Sequence, residues 1–453
     1  MKAFIDQQRI FFNSNQTKDL NFRKEQLQKL KTLLLSNQNR LNEAIYKDFG
    51  KSPFETFTNE FGLVFLDIDE ACRKLNRWAK WKRVRTNWVS FPGKSYIIPE
   101  PLGVSLIIGA WNYPYQLSLA PAVAAIAAGN TVILKPSEIP SNTSRILAEL
   151  INTTFDPGFF HVIEGGIDET TALLEERFDK IFFTGSTNVG KVVYQAAAKH
   201  LTPVTLELGG KSPAIFTEGA NLKMGIKRLI WAKFLNSGQT CIAPDYVLLP
   251  KSMKDEFLQL AKAEIEKASY SIKNGNYIQI INDKNVQRLK KLIDPDKVYY
   301  GGEIREDLRI IQPTLMQNVT FNDAIMQEEI FGPILPVITY DSLNEVISEV
   351  KNREKPLSCY VFTTDPSIKR KLLNELSFGG GAVNEALMHI ANSRLPFGGV
   401  GNSGFGSYHG EAGFRTFSHY KSILEKGNWL ETKLKYSPYS ENKLKWIKRF
   451  MGL

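Results

Sequence analysis

Between Gly103 and Leu208 the chain alternates short apolar runs with helical stretches, and this alternation constrains the fold more than any other feature. The runs Val104–Ile108, Thr131–Leu134, Phe160–Ile163, Lys180–Thr184 and Val204–Leu208 read as strands. Several are apolar throughout, as parallel strands covered on both faces require. Helical spacing lies between them, for instance over Thr143–Ile151. The pattern predicts an α/β fold with a doubly wound parallel sheet and a ligand crevice at the carboxyl ends of its strands. A second α/β block runs from Gly209 to Arg415.

The N-terminal hundred residues read differently. Leu27, Leu30 and Leu34 form one buried helical stripe, and a second helix is expected over Glu60–Lys82. Thr86–Ser90 and Lys94–Ile98 then read as a hairpin around Phe91-Pro92-Gly93, interrupting the α/β pattern as an arm would. A length of 453 residues accommodates two or three domains without a disulfide or metal staple. Cys72, Cys241 and Cys359 are the only cysteines and lack paired spacing, so neither a zinc site nor a disulfide framework is expected. The polar N-terminus lacks the apolar core of a signal peptide, and no run reaches the roughly 18 apolar residues of a membrane span. A cytoplasmic protein is expected. The net charge of +10 comes without basic clusters interleaved with aromatics, which excludes nucleic-acid binding. The basic tail Lys443–Leu453 reads as a frayed terminus, with peripheral membrane contact as the competing reading.

Several segments carry chemistry. Cys241 follows Asn236-Ser237-Gly238-Gln239-Thr240, where small residues let a ligand approach, and a thiolate is the natural nucleophile for a carbonyl carbon. An inert buried cysteine is the competing reading. Glu207 ends a strand just before Gly209-Gly210; burial there would raise its pKa and make it a general base. Asn112 follows the first strand of the sheet and offers a neutral donor for an oxyanion, or simply satisfies a turn before Pro114. Lys135 and Glu138 follow the second strand, where side chains reach a ribose. Gly185 and Ser186 open a turn into a helix whose N-terminus suits a phosphate. Gly185–Lys191 also matches Walker A spacing, but Val192 stands where serine or threonine would hold Mg²⁺. Glu329 and Phe331 share one face of an extended segment and suit a flat ring and its ribose. The glycine-dense stretch Leu395–Gly406 reads as a tight pocket-lining loop or a flexible surface loop.

GAWNYP, KPSE, FTGS, ELGGK, GQTCIAP, EEIFGP and PFGGVGNSG occur in this order across nearly the whole chain. Together they resemble the aldehyde dehydrogenase superfamily; the short N-terminus, KPSE, GQTCIAPDY and GNSGFGSYHG are most similar to its class 3 branch, which includes fatty- and aromatic-aldehyde enzymes. The resemblance implies an NAD- or NADP-binding domain over 1–84 and 101–208 and a catalytic domain over 209–415. It further implies a β oligomerisation arm over 85–100 and 416–440, which builds a homodimer, ahead of a tail over 441–453. It implies aldehyde oxidation to the acid through a thiohemiacetal and thioester on Cys241, with Asn112 holding the oxyanion and Glu207 activating water. Lys135, Glu138, Gly185, Ser186, Glu329 and Phe331 are the implied cofactor contacts, and no metal is expected. Medium- or long-chain aliphatic, or aromatic, aldehydes are the expected substrates, with Tyr113, Tyr115 and Trp231 lining the pocket or, as the competing reading for each, packing in the core.

Overall fold

The computed structural model describes residues 1–453. Its contacts divide the chain into two units, Met1–Trp78 with Pro101–Ser418, and Ala79–Glu100 with His419–Leu453.

The larger unit holds two sheets. In the first, strands follow the order Gly404–Phe405, Val204–Glu207, Lys180–Thr184, Val104–Ile108, Thr131–Lys135, Phe160–Val162. All neighbours are parallel except Gly404–Phe405, which runs antiparallel with Gly404 opposite Glu207. The second sheet orders Val298–Tyr300, Thr314–Met316, Ile334–Tyr340, Tyr246–Pro250, Pro213–Phe216, Ser358–Phe362, Gly380–Val383, again parallel except at the first pair. The expected strands of the first sheet form within a residue of their expected bounds. Val104–Ile108, Thr131–Lys135 and Lys180–Thr184 are buried at every position, which is why their sequences are apolar without alternation.

Helix Gln116–Ala128 lies almost wholly buried in this unit, so each end needs internal partners. At its start, Glu60 Oε2 accepts from the backbone N–H of Tyr115 (3.0 Å) and Gln116 (2.9 Å). At its end, the buried Arg23 guanidinium donates to Ala127 O (3.2 Å). An anion at the N-terminus and a cation at the C-terminus both complement the helix dipole. Burial pushes the Glu60 carboxyl upward, and Lys51 opposes that shift. Lys51 Nζ sits 2.9 Å from Glu60 Oε1, over the rings of Phe49 and Tyr113 at 5.1 and 4.7 Å, with both charged side chains fully buried.

The smaller unit differs from expectation. Its sheet is Lys82–Val84, Gly93–Pro101 and Ser418–Lys426, with Gly93–Pro101 in the middle. Thr86–Ser90 is not a strand. The Asn87 side chain accepts from Ser90 N (3.1 Å) and closes a 3₁₀ turn at Trp88–Ser90, which takes that backbone off the ladder. The tail is helical rather than frayed: Glu441–Phe450 forms a helix capped by Ser440.

Replacing Glu60 by Gln should leave the Lys51 ammonium buried without its counter-charge and cost about 3–5 kcal/mol. Urea unfolding checks this; an unchanged midpoint would show that the pair contributes little, and a Lys51→Met/Glu60→Gln double variant should lose less than the single one.

Candidate active site

The loop before Cys241 is held in an uncommon conformation. Asn236, Ser237 and Gly238 are all left-handed, with φ of 55, 52 and 72°. Non-glycine residues rarely adopt this, and such strain persists only where surrounding bonds over-determine it. Those bonds are present. Asn236 N donates to Glu55 Oε1 (3.2 Å), Ser237 Oγ to Ile278 O (2.6 Å), and Gln239 Oε1 accepts from Ile281 N (3.0 Å). At Gly238 a Cβ would lie 2.3 Å from Gly332 O, so only glycine fits.

Asn112 is tied into the same loop. Its amide nitrogen donates to Gln239 O (3.1 Å), while its own carbonyl accepts from Asn236 Nδ2 (3.1 Å). One N–H of the amide therefore remains for a ligand. The next residue, Tyr113, shares a 2.6 Å hydrogen bond with Thr240 Oγ1.

Cys241 and Glu207 line one cavity of about 260 Å³, together with Tyr113, Trp231, Leu357 and Phe397. Tyr115 does not line it: its ring stacks on Phe61 and its hydroxyl donates to Leu41 O (2.8 Å), which places it in the core. Phe397 brings the glycine-dense loop to the cavity wall, and Gly404–Phe405 fixes that loop to the sheet edge. The Glu207 carboxyl is buried with no protein partner on either oxygen, and burial holds its pKa well above the carboxylate range. Burial, then the Glu329 and Glu207 carboxylates, push the Cys241 thiol up to about 12. Burial, with Asp245 adding, raises Glu329 to about 8. As the carboxylates protonate, their opposition to the thiolate disappears.

Glu329 reaches the turn that follows the strand Val204–Glu207. A Cβ on Gly209 would meet Glu329 Oε2 at 2.0 Å, so that glycine is the space the carboxylate occupies. Lys211 fixes the approach: it pairs with Asp245 and donates to Ile325 O (3.0 Å) and Glu328 O (2.8 Å). Phe331, with φ 48°, meets the Trp111 ring edge-on at 5.2 Å.

The remaining candidates lie at the carboxyl ends of the first sheet. Lys135 Nζ is buried with one hydrogen bond, to Pro136 O (2.9 Å), and with Glu138 Oε2 at 4.0 Å. Burial lowers its pKa. Two of its three N–H donors are unspent, and the Glu138 carboxylate is half-exposed beside them, a donor and an acceptor suited to ribose hydroxyls. Gly185 N donates to Glu207 O (3.0 Å), and Ser186 caps the helix Thr187–Ala198 by accepting from Val189 N (3.4 Å). That helix begins before Lys191, which is exposed, so no loop wraps a triphosphate there. These features fit a dinucleotide: hydroxyl partners at one strand end and a helix N-terminus at another.

Sequence reasoning missed Lys51, Glu55 and Glu60, which lie far from the motifs they support and carry no local signal. It also assigned no role to Gln116, Thr184 and Tyr408, all of which line the cavity.

The chain is similar to known proteins over nearly its whole length. The model of the aldehyde dehydrogenase family matches residues 2–423. The 4,4'-diaponeurosporen-aldehyde dehydrogenase of Staphylococcus aureus is 50% identical over 446 residues, covering 98% of this chain and 97% of that one. The dimeric NADP-preferring aldehyde dehydrogenase of Rattus norvegicus is 43% identical over 438 residues, covering 96% and 97%. The solved substrate-bound AldH of Staphylococcus aureus superposes with a TM-score of 0.97 at 48% identity, covering 99% of each chain. The chain belongs to the aldehyde dehydrogenase family and is an NAD(P)-dependent enzyme that oxidises aldehydes.

Proposed function

We propose that Cys241 is the nucleophile, Asn112 the oxyanion donor and Glu207 the general base, and that the substrates are medium- or long-chain aliphatic, or aromatic, aldehydes. The observation that carries this reading is the shared cavity: a thiol and an unpartnered buried carboxyl meet inside walls of Leu, Trp and Phe side chains. Such walls favour an apolar chain over a small charged aldehyde. The Staphylococcus aureus relative, named for an aldehyde of diaponeurosporene, supports the same class.

Cys241 gives up its thiol proton to solvent as Sγ bonds to the aldehyde carbon, and the charge that develops on oxygen is met by the free N–H of Asn112. A donor placed in this way typically contributes about 100- to 1,000-fold in turnover. A bound nicotinamide would supply the acceptor for the aldehyde hydrogen and its electron pair. What remains on Cys241 is a thioester. Glu207 takes a proton from water, and the water oxygen displaces sulfur to release the acid.

Lys135 and Glu138 would hold the adenosine ribose, Gly185 and Ser186 the phosphates, and Glu329 and Phe331 the ribose next to the nicotinamide. A Glu138 carboxylate accepts from a free 2′-hydroxyl and repels a 2′-phosphate, and Lys135 offsets that repulsion, so either NAD or NADP suits the site. We assign 1–84 and 101–208 to cofactor binding, 209–415 to catalysis, and 85–100 with 416–440 to an arm that builds a homodimer.

No helix is long and apolar enough to cross a membrane. We place the protein in the cytoplasm, with its last helix as a peripheral contact to anionic lipid. Leu444, Trp446, Ile447, Phe450 and Met451 are exposed along one side of that helix, and Lys445, Lys448 and Arg449 lie on the other.

Cys241→Ala should abolish aldehyde-dependent NAD(P)H formation while cofactor binding, read by calorimetry, persists; residual turnover at the wild-type rate would remove the nucleophile assignment. Glu207→Gln should accumulate an acyl adduct on Cys241 visible by intact-mass spectrometry, and its absence at an unchanged rate would refute the base. Ile447→Glu/Phe450→Glu should stop cosedimentation with anionic vesicles; equal pelleting of both proteins would dispose of the lipid contact.

A further inference from the structure

Buried polar atoms without partners are few in folded proteins and costly, so a cluster of them facing one cavity asks for a ligand. Among the residues that line the Cys241 cavity, five carry such atoms: Glu207 (both Oε), Tyr408 Oη, Gln116 Nε2, Thr184 Oγ1 and Asn59 Nδ2. The first four come from four different places that the fold brings together. Thr184 and Glu207 sit opposite each other on adjacent parallel strands. Gln116 is the first residue of the buried helix anchored by Glu60. Tyr408 is bridged by backbone hydrogen bonds to Phe397 (3.0 and 2.8 Å), and its ring packs edge-on against Phe182 at 5.0 Å and at 4.2 Å from the His409 ring. The Tyr408 hydroxyl lies within hydrogen-bonding reach of the Gln116 side chain and within the field of both Glu207 and Cys241, so a water there would be shared between the two.

We propose that Tyr408, Gln116 and Thr184 hold the hydrolytic water against Glu207, making them positioning residues for release of the acyl group. This rests on the assignment of Cys241 and Glu207 above. A buried water needs two to four polar partners. Here Gln116 supplies a donor, Glu207 an acceptor, and the Tyr408 and Thr184 hydroxyls either. With Gln116 directing a hydrogen at one lone pair of the water oxygen and a hydroxyl accepting one water hydrogen, the other hydrogen is left aimed at Glu207 and the second lone pair is free for the thioester carbon. In the hydrolytic step the water oxygen bonds to the thioester carbon and its proton passes to Glu207. The carbon–sulfur bond breaks, its electron pair returns to Sγ, and the carboxylic acid leaves. The surrounding apolar wall keeps bulk water from substituting for the held one.

Tyr408→Phe and Gln116→Met keep shape and remove one hydrogen-bonding group each. The experiment mixes full-length enzyme, aldehyde and NAD(P), follows the first turnover of NAD(P)H by stopped flow, and follows loss of the acyl adduct by quench and intact-mass spectrometry. First-turnover NAD(P)H formation should keep its wild-type rate, while loss of the adduct slows about tenfold, the effect of one lost hydrogen bond. Hydroxylamine, which needs no held water, should restore turnover in these variants. Equal slowing of both phases would mark a structural role and overturn the proposal, as would unchanged loss of the adduct. If Glu207→Gln accumulates adduct and the Tyr408 variant does not, only the water-positioning inference fails. If no adduct forms in any variant, the Cys241 assignment beneath it fails.

Discussion

Everything in the site hangs from a buried helix with a charge at each end. Gln116–Ala128 is almost wholly buried, so its terminal backbone groups take Glu60 at the start and Arg23 at the finish. Glu60 does more than cap. By gripping Tyr115 N and Gln116 N it fixes the turn Ala110–Tyr115, and with it the direction of Asn112 and Tyr113. Lys51 makes that anion tolerable, and Glu55, four residues away from Lys51, grips Asn236 N on the cysteine loop. One buried cluster of three charged side chains thus sets both halves of the proposed reaction centre. Lys51 itself packs under the Tyr113 ring, so charge and cavity wall are one construction.

The cysteine loop shows why such rigid support is needed. Three consecutive left-handed residues cost on the order of 1–3 kcal/mol for each non-glycine position. Side-chain bonds from Asn236, Ser237 and Gln239 to distant backbone hold them there. The result presents Cys241 at the end of a turn, with Asn112 joined to the loop through Gln239 O. The thiol is held in its protonated form at rest, since burial and two carboxylates oppose the thiolate.

Much of this was legible in the chain. Parallel strands buried on both faces leave an unbroken apolar record, so Val104–Ile108 and Lys180–Thr184 could be bounded from sequence. Motifs with glycine beside a reactive residue were legible too, because Gly209 and Gly238 mark places where no side chain fits. What escaped was long-range. Nothing local distinguishes Glu60 from a surface acid on an amphipathic helix, and its partner backbone lies 55 residues on. Tyr115 was misplaced for the complementary reason: an aromatic near a catalytic residue in sequence points either way, and here its hydroxyl found Leu41 O in the core. At Thr86–Ser90 an asparagine side chain outcompeted the ladder, an outcome set by three atoms rather than by propensity.

The strand that carries Glu207 is closed on one side by Gly404–Phe405, roughly 200 residues later in the chain. During synthesis the first sheet can therefore assemble on the ribosome with that flank bare, its Leu206 carbonyl and Leu208 amide open to any passing strand. The nascent protein spends the time of about two hundred peptide bonds in that condition. Quality control would meet it as an adhesive intermediate, and truncations upstream of the late glycines would be caught there for good.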